Sequence, residues 1–234
     1  MSNTASDAAS PVTLITGAAR GLGHALAVAE AARGAHVVAL ARTVGALEEL
    51  DDAIRAAGGA ATLVPLDITD DAGLSRLGAA LHARWGRLDR WLHCAAHAAP
   101  CAPASHADEK DVDRSFAVNA RATQRLIRVL DPLLRASPAS QAVLMDDDRA
   151  GEAYFGAYAA SKAAARAWWL AWAQETPRTP VTVLRALPPP MPTALRARFY
   201  PGEDRAALTP CATVAAALLA ALDAKPVRGA ALKL

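Results

Sequence analysis

The sequence predicts a doubly wound α/β fold, in which a parallel sheet is covered by helices on both faces. Short apolar segments alternate with longer helical segments from Val12 to the C-terminus. The apolar segments are nearly uninterrupted, which is typical of parallel strands buried on both faces. The first of them runs directly into a turn that holds three glycines, and a helix follows. No repeat or internal linker divides the chain, so we expect residues 12–234 to form one domain.

The bounds of the elements follow from the apolar runs and from the residues that border them. The first predicted helix ends at Gly34, the second at Gly58 and Gly59, and the long fourth helix near Pro138, because glycine and proline end helices. The predicted strands are residues 12–15, 35–41, 61–67, 87–96, 141–145, 180–187 and 228–234. The predicted helices are residues 22–33, 44–59, 70–85, 111–135, 154–175 and 209–223, with short helix and loop over 192–204.

The composition excludes several classes of protein. A formal net charge of +2 with scattered Lys and Arg gives no basis for binding nucleic acid or an anionic membrane. Residues 1–11 are small and polar, and we expect a disordered tail rather than a signal peptide. No apolar run reaches roughly eighteen residues, so no membrane span is expected. Cys94, Cys101 and Cys211 lack disulfide or metal-ligand spacing, and three reduced thiols indicate a cytoplasmic protein.

The first turn, Thr16–Gly23 (TGAARGLG), has the pattern of a phosphate-binding turn. Gly17 permits the tight turn out of the strand, Gly21 lets a pyrophosphate approach the backbone, and Gly23 lets the helix pack on the sheet. The free N–H groups and the dipole at the helix N-terminus attract phosphate. Because the turn lies between a strand and a helix, it indicates a dinucleotide site rather than a glycine-rich turn without a ligand.

Two arginines indicate which dinucleotide binds. An NAD site normally has Asp or Glu at the end of the second strand to bind the ribose 2′-OH, but here Leu40 and Ala41 are followed by Arg42. Arg20 lies inside the glycine turn. Two guanidinium groups suit the 2′-phosphate of NADP(H), which is therefore the predicted cofactor. The alternative is that Arg42 is an ordinary surface arginine.

Tyr158 and Lys162 end the segment VLMDDDRAGEAYFGAYAASK, residues 143–162. Side chains four residues apart share one face of a helix, so the lysine can act on the phenol. A free tyrosine has a pKa of about 10, and we expect Lys162 to lower it toward the range useful for general acid catalysis. Asp146, Asp147 and Asp148 stand at the start of the same segment, directly after a predicted strand.

These two motifs, in this order, resemble those of the short-chain dehydrogenase/reductase family, and the matching elements run from about Val12 to the C-terminus. The resemblance implies a Rossmann sheet of about seven strands and hydride transfer between NAD(P) and a small carbonyl or alcohol. It implies that Tyr158 is the proton donor, that Lys162 is its partner, and that Asn119 fixes a water in a proton relay. The cofactor contacts that the motifs and the resemblance predict are Gly17, Arg20, Gly21, Leu22, Gly23, Arg42, Asp67, Ile68, Ala95, Tyr158, Lys162 and Thr193.

The sequence departs from the family's pattern at three places near the predicted site. The family's Asn-Asn-Ala-Gly segment reads HCAA over residues 93–96, and its Pro-Gly segment reads PPPMP over residues 188–192. The active-site serine is absent, and the aspartates stand in its place. We expect Asp147 to face the site as a catalytic residue, while the register leaves Asp146 and Asp148 as alternatives.

A carboxylate at this place opposes proton transfer by Tyr158. At ~4 Å and an effective dielectric constant of ~20, it disfavours tyrosinate by about 4 kcal/mol. The missing serine would also have been worth roughly a hundred- to a thousandfold in rate as a hydrogen-bond donor. Two compensations are open. A raised pKa could keep Asp147 protonated and able to donate, or Arg149 could neutralise the aspartates.

Two functions from different classes follow. The first is an NADPH-dependent reductase of a small carbonyl, or dehydrogenase of an alcohol, with a modified active site. The second is a nucleotide-binding pseudoenzyme that senses the nucleotide or binds a partner. No metal site is expected, because consecutive strand residues point to opposite faces and only two of the aspartates can converge. A solvated charge cluster is the alternative for the aspartates.

Three tryptophans follow Tyr158 on the same predicted helix. Trp168 and Trp172 share one face of that helix, and Trp169 lies beside them. The family resemblance implies that this helix and the helix of Asn119 form the interface of a homodimer or homotetramer. Packing within the core of a single chain is the alternative explanation for the indoles.

Overall fold

The computed structural model describes residues 10–234, so residues 1–9 of the predicted tail lie outside the described residues. Within the described part of the chain, seven parallel strands form one sheet: β1 Val12–Thr16, β2 His36–Ala41, β3 Ala60–Pro65, β4 Arg90–His93, β5 Ser140–Met145, β6 Val181–Leu187 and β7 Ala231–Lys233. Their spatial order is β3-β2-β1-β4-β5-β6-β7. This sheet, with helices on both faces, confirms the predicted doubly wound fold.

The helices connect these strands and lie close to their predicted positions. The predicted strand over residues 87–96 is shorter in the structure, because the chain turns away after His93 and Cys94–His97 line a cavity. The α-helices of residues 10–234 are α1 Gly21–Ala32, α2 Val44–Ala56, α3 Asp71–Trp85, α4 Glu109–Ser115, α5 Ala122–Ala136, α6 Gly156–Glu175, α7 Ala194–Phe199 and α8 Cys211–Asp223.

Two apolar layers hold the helices to the sheet. One layer contains buried residues of α1, α2 and α8, and the other contains buried residues of α3, α5 and α6. Successive residues of β1 alternate between them, with Leu14 in one layer and Ile15 in the other. Each fully buried side chain of this size stabilises the fold by about 1.5–3 kcal/mol. The nearly continuous apolar strands are therefore what a sheet buried on both faces requires.

The order of the strands reverses beside β1. β1 pairs with β2 on one side and with β4 on the other, both in parallel. Chain segments that leave the carboxyl ends of β1 and β4 therefore go to opposite sides and leave a crevice between them. In doubly wound sheets, ligands bind in the crevice at this switch point.

The predicted long helix over residues 111–135 is interrupted by a wider turn. Residues Phe116–Arg121 form a π-helical turn between α4 and α5, and Asn119 lies in it. Such turns are rare and occur mostly at functional sites. Sequence periodicity cannot detect this turn, because one added residue per turn leaves the apolar pattern of the flanking helices intact.

The three tryptophans of α6 have different surroundings. Trp169 and Trp172 are buried within the chain, and Trp169 Nε1 donates to the backbone oxygen of Leu184 at 2.8 Å. Trp168 is 52% exposed. Packing within the chain therefore accounts for Trp169 and Trp172, and only Trp168 remains available for an interface.

One segment, Arg205–Asp223, has the length and apolar composition of a membrane span. This is a weak indication, because a core helix of a soluble protein passes the same test. The segment contains α8, whose buried residues Leu218 and Leu222 pack in the same apolar layer as α1.

A buried histidine joins the sheet to the helix that follows the π turn. His93 Nδ1 lies 2.6 Å from Thr16 Oγ1, and His93 Nε2 lies 2.8 Å from Thr123 Oγ1. The Thr123 hydroxyl donates to the backbone oxygen of Asn119 at 2.6 Å. It therefore accepts from the ring, and the neutral ring accepts from Thr16. Burial, and then the charge of Lys162, lower the pKa of His93 to about 3.

We expect this neutral histidine to make the protein less stable as the pH falls below about 6.5. In that range the unfolded chain binds a proton at residue 93, whereas the folded chain does not until its pKa of about 3. Each unit of decrease in pH therefore lowers the free energy of unfolding by up to about 1.4 kcal/mol. Urea unfolding at about pH 7 and about pH 5 should show a smaller loss of unfolding free energy for His93→Gln than for the parent chain. His82→Gln, an exposed position on α3, is the control. Equal losses in the parent and in His93→Gln would contradict this prediction.

Candidate active site

A cavity of about 630 Å³ lies at the switch point, beyond the carboxyl ends of β1 and β4. It brings together predicted site residues from distant parts of the chain. Asn119 is the exception, since it does not line the cavity. The predicted residues in the lining are Gly17, Arg20, Gly21, Leu22, Gly23, Arg42, Asp67, Ile68, Ala95, Asp147, Tyr158, Lys162 and Thr193.

The glycine turn has no room for side chains at two of its positions. Gly17 has φ +74°, and a Cβ there would lie 2.7 Å from the backbone nitrogen of Ala95. A Cβ at Gly23 would clash with the backbone oxygen of Gly17. The side chain of Arg20, which precedes α1, does not cap that helix. Free backbone N–H groups at the start of α1 therefore face a cradle that suits a phosphate.

Asp67 and Arg42 line the end of the cavity near the carboxyl ends of β2 and β3. Arg114 also pairs with Asp67. Asp67 Oδ2 lies 3.7 Å from Arg42 Nη1 and 3.2 Å from Arg114 Nη2. Burial acts to raise the pKa of Asp67, but hydrogen bonds from Thr69 and the charges of Arg114 and Arg42 hold it below its ordinary value. Arg42 is 57% exposed. Its guanidinium therefore lies at the cavity rim, paired with Asp67 and open to an anion.

Thr193 lies against the glycine turn and lines the same cavity. A Cβ built on Gly21 would lie 3.2 Å from Thr193 Cγ2. The Thr193 hydroxyl accepts from the backbone nitrogen of Arg196 at 3.1 Å and so caps the start of α7. Thr193 belongs to the segment of residues 190–207, which contains α7 and contributes Met191 to the cavity lining. We call this segment the lid.

The first aspartate after β5 is a buried structural anion. Asp146 accepts hydrogen bonds from Arg166 Nε at 2.7 Å and from Arg185 Nη1 at 3.0 Å. Burial acts to raise the pKa of Asp146, but the hydrogen bond from Arg166, the charge of Lys162 and the hydrogen bond from Arg185 hold it below its ordinary value. Two arginines and a lysine therefore outweigh the effect of burial at Asp146. Asp148 is 58% exposed and pairs with Arg166 at 2.9 Å.

Asp147 is the aspartate of the three that contacts the predicted proton donor. Tyr158 Oη donates to Asp147 Oδ2 over 3.3 Å. Arg149 Nε lies 3.2 Å from Asp147 Oδ1 and 3.3 Å from Oδ2. The carboxylate therefore lies between a phenol and a guanidinium, and all three side chains line the cavity.

The surroundings of Tyr158 disfavour its ionised form. Burial raises the pKa of Tyr158, and the negative charge of Asp147 and the hydrogen bond to it raise the pKa further, with Arg149 acting in the opposite direction. Lys162 Nζ donates to the backbone oxygen of Met145 at 2.6 Å. Lys162 is therefore bonded at the end of β5, and any lowering of the Tyr158 pKa by its charge is outweighed by burial and by Asp147.

Asn119 contacts α6, the helix that carries Tyr158. Asn119 Oδ1 accepts from the backbone nitrogen of His97 at 2.7 Å. Its Nδ2 donates to the backbone oxygen of His97 and to Ser161 Oγ, both at 2.9 Å. These bonds join the π turn to the segment after β4 and to α6. The role of Asn119 in holding a water remains a prediction.

The sequence analysis missed the partners of Asp146. Arg166 follows Lys162 by four residues, as Lys162 follows Tyr158, so the spacing places all three on one face of α6. That signal could have identified Arg166. Arg185 comes from the middle of β6, and no local pattern indicates its partner. In residues 10–234, no group of three or more His, Cys, Asp or Glu could hold a metal ion.

Comparisons with known proteins agree with this fold. Residues 11–204 match the family model of short chain dehydrogenases. The uncharacterized oxidoreductase YciK of Escherichia coli is 31% identical over 199 residues, which cover 82% of this chain and 78% of YciK. A Shigella flexneri protein assigned to the short-chain dehydrogenases and solved in complex with NADP superimposes with a TM-score of 0.91. It is 28% identical, and the match covers 97% of this chain and 98% of that chain.

Another relative is much longer than the part it shares with this chain. A fatty acyl-CoA reductase from Acinetobacter baylyi is 34% identical over 156 residues. These residues are 65% of this chain and 53% of that enzyme. The shared region is therefore about half of that relative.

Proposed function

The chain belongs to the short-chain dehydrogenase family, and on that basis we propose that it is an NADP(H)-dependent oxidoreductase of a small carbonyl or alcohol. The observation that carries the proposal is the cavity that joins Tyr158 and Lys162 to the glycine turn. A proton donor and a phosphate cradle thus open onto one space. The fold and the family support a reaction in that space.

NADP(H) is the cofactor that suits this cavity. The turn at Gly17 and Gly23 excludes side chains where a pyrophosphate would lie. Arg20 and Arg42 line the same cavity, and guanidinium groups suit a 2′-phosphate. The Shigella flexneri relative was solved with NADP. When bound, this cofactor supplies hydride to a carbonyl carbon or accepts it from an alcohol carbon.

The chain's own residues would handle the proton. Tyr158 gives a proton to the substrate oxygen during reduction and takes it back during oxidation. Lys162 supplies positive charge beside it, and Asn119 positions a water of the relay from the π turn. Asp147 takes the place of the hydrogen-bonding serine and, while ionised, repels the oxygen as negative charge develops on it. Activity is therefore slower than a serine at this position would permit.

One observation favours a second function, a nucleotide-binding pseudoenzyme. The buried phenol of Tyr158 donates a hydrogen bond to Asp147, and Lys162 Nζ donates one to the backbone oxygen of Met145. A donor held in this way is poorly prepared for proton transfer, whereas the phosphate cradle does not depend on these bonds. NADPH binding without oxidation across a broad carbonyl panel would favour the pseudoenzyme.

We also propose that the protein is a homodimer or homotetramer built on α6 and the helix of Asn119. Phe116 and Trp168 are large exposed apolar residues on these helices, 39% and 52% exposed. They line one shallow surface depression. Light scattering at micromolar concentration should give a multiple of 24.3 kDa, and Trp168→Arg should give the monomer. A monomeric parent chain would contradict this assembly.

The cysteines of the described residues are free, which supports a cytoplasmic location.

Arg42→Ala should remove most of the preference for NADPH over NADH. The charge-assisted hydrogen bonds to a 2′-phosphate are worth about 1.5–3 kcal/mol, so NADPH affinity should fall about tenfold or more while NADH affinity stays level. Calorimetric titration with both cofactors measures the two affinities. Arg55→Ala on α2, which removes an exposed arginine paired with Asp51, is the matched control. Equal affinities of the parent for the two cofactors would sink the prediction.

Asp147→Ser should raise carbonyl reduction about tenfold or more, which is part of the roughly hundred- to thousandfold that an oxyanion donor supplies. The serine removes the charge that opposes tyrosinate and restores a neutral donor, while NADPH affinity stays level. Initial rates with NADPH across a carbonyl panel measure the effect. Asp148→Ser is the control, because Asp148 pairs with Arg166 and not with Tyr158. If Asp147→Ser leaves the rate unchanged on a substrate that the parent reduces, the carboxylate of Asp147 does not limit the rate of reduction.

A further inference from the structure

Arg149 contacts both the lid and Asp147, the carboxylate that accepts a hydrogen bond from the predicted proton donor Tyr158. Its Nε bonds to Asp147, and its Nη1 donates to Tyr200 Oη at 2.9 Å and to Glu152 Oε2 at 2.8 Å. The guanidinium also stacks over the ring of Phe155, with 4.9 Å to the ring centroid. Its side chain is only 16% exposed. Four fixed neighbours and low exposure distinguish this arginine from a solvated surface arginine.

Arg149 is the cation that pairs with Asp147, because the other charged groups near Tyr158 are bonded elsewhere. Asp146 is already paired with Arg166 and Arg185. Lys162, on the same helix as Tyr158, bonds to the backbone of Met145. From the lid, the aromatic ring of Phe199 faces Tyr158, with 4.9 Å between ring centroids. Asp147 and Arg149 are therefore the ion pair nearest the phenol, and the charge of Asp146 acts on the pKa of Tyr158 in the same direction as Asp147.

The lid side of this contact is also well defined. The guanidinium of Arg196 lies 3.9 Å from the ring centroid of Tyr200 and is bonded through Nε to Glu203 at 2.7 Å. Phe155 packs edge-on against Phe199 at 4.9 Å. Tyr200 is thus fixed to the lid by its ring and to Arg149 by its hydroxyl.

We propose that Arg149 is a positioning residue that neutralises Asp147 beside the proton donor and fastens the lid to that ion pair. The proposal rests on the oxidoreductase function above. Arg149 acts through Asp147 on the proton transfer and through Tyr200 on the lid. The two effects are separable, because Tyr200→Phe removes only the bond to the lid and Arg149→Lys keeps the charge without the fork of donors.

The first test is a double-mutant cycle on carbonyl reduction. Arg149→Ala leaves Asp147 uncompensated, so kcat should fall about tenfold, the equivalent of one pKa unit. In the Asp147→Ser background the same change should cost less than about threefold, because no carboxylate remains to be neutralised. Arg149→Lys should recover most of kcat. In alcohol oxidation, which needs tyrosinate, the pH midpoint should move upward in Arg149→Ala. Equal losses in both backgrounds would overturn the proposal.

The second test needs no turnover. Amide hydrogen exchange of residues 190–207 should be faster in Arg149→Ala and Tyr200→Phe than in the parent, because each removes the bond to the lid. Arg76→Ala, which breaks an exposed ion pair with Asp70 on α3, should leave this exchange unchanged. Where activity is measurable, Tyr200→Phe should raise KM and leave kcat and the pH profile alone.

The two tests separate the proposal from the proposed function. If NADPH binds but the parent reduces no carbonyl, the oxidoreductase function fails, and the exchange experiment still decides whether Arg149 fastens the lid. If exchange of residues 190–207 is the same in Arg149→Ala and in the parent, the proposal is wrong whatever the activity.

Discussion

Three consecutive carboxylates at the end of a buried strand are the constraint around which this site is arranged. An unpaired buried charge destabilises a protein by several kcal/mol, about 3–5 when one partner of a pair is lost, so the buried Asp146 needs a cation nearby, whereas Asp147 and Asp148 are partly exposed. The structure supplies an arginine to every one of them. Asp146 pairs with Arg166 and Arg185, Asp147 with Arg149, and Asp148 with Arg166.

This pairing links the fold to the chemistry. Arg185 comes from β6 and Arg166 from α6, so the ion pairs of Asp146 fix the turn after β5 against the neighbouring strand and helix. That turn then holds Asp147 against Tyr158. The cofactor cradle at the first turn is built independently, from glycines that exclude side chains. The protein can therefore keep nucleotide binding while the carboxylate tunes proton transfer.

Much of this could be predicted from the sequence, for physical reasons that differ between elements. The positions of the strands along the chain follow from apolar runs, and the turn at Gly17 follows from glycines between a strand and a helix. The π turn at Asn119 could not be predicted, because helical periodicity is nearly unchanged by it. The low pKa of Asp146 could not be predicted either, because adjacent aspartates are visible in the sequence but Arg185, on another strand, is not recognisable as a partner. The contact between Arg149 and Tyr200 depends on how the lid folds back over the cavity.

Ionisation of the Tyr158 phenol measures directly how far Asp147 holds this side chain in its neutral form. The ultraviolet absorbance of tyrosinate is recorded against pH, and the difference between the parent and Tyr158→Phe isolates this phenol from Tyr154 and Tyr200. Because burial and the carboxylate of Asp147 both disfavour the charged form, we expect the midpoint of Tyr158 ionisation to lie above the value of about 10 for a free tyrosine. We expect a lower midpoint in Asp147→Ser. A midpoint at or below about 10 in the parent, or an equal midpoint in Asp147→Ser, would contradict the account.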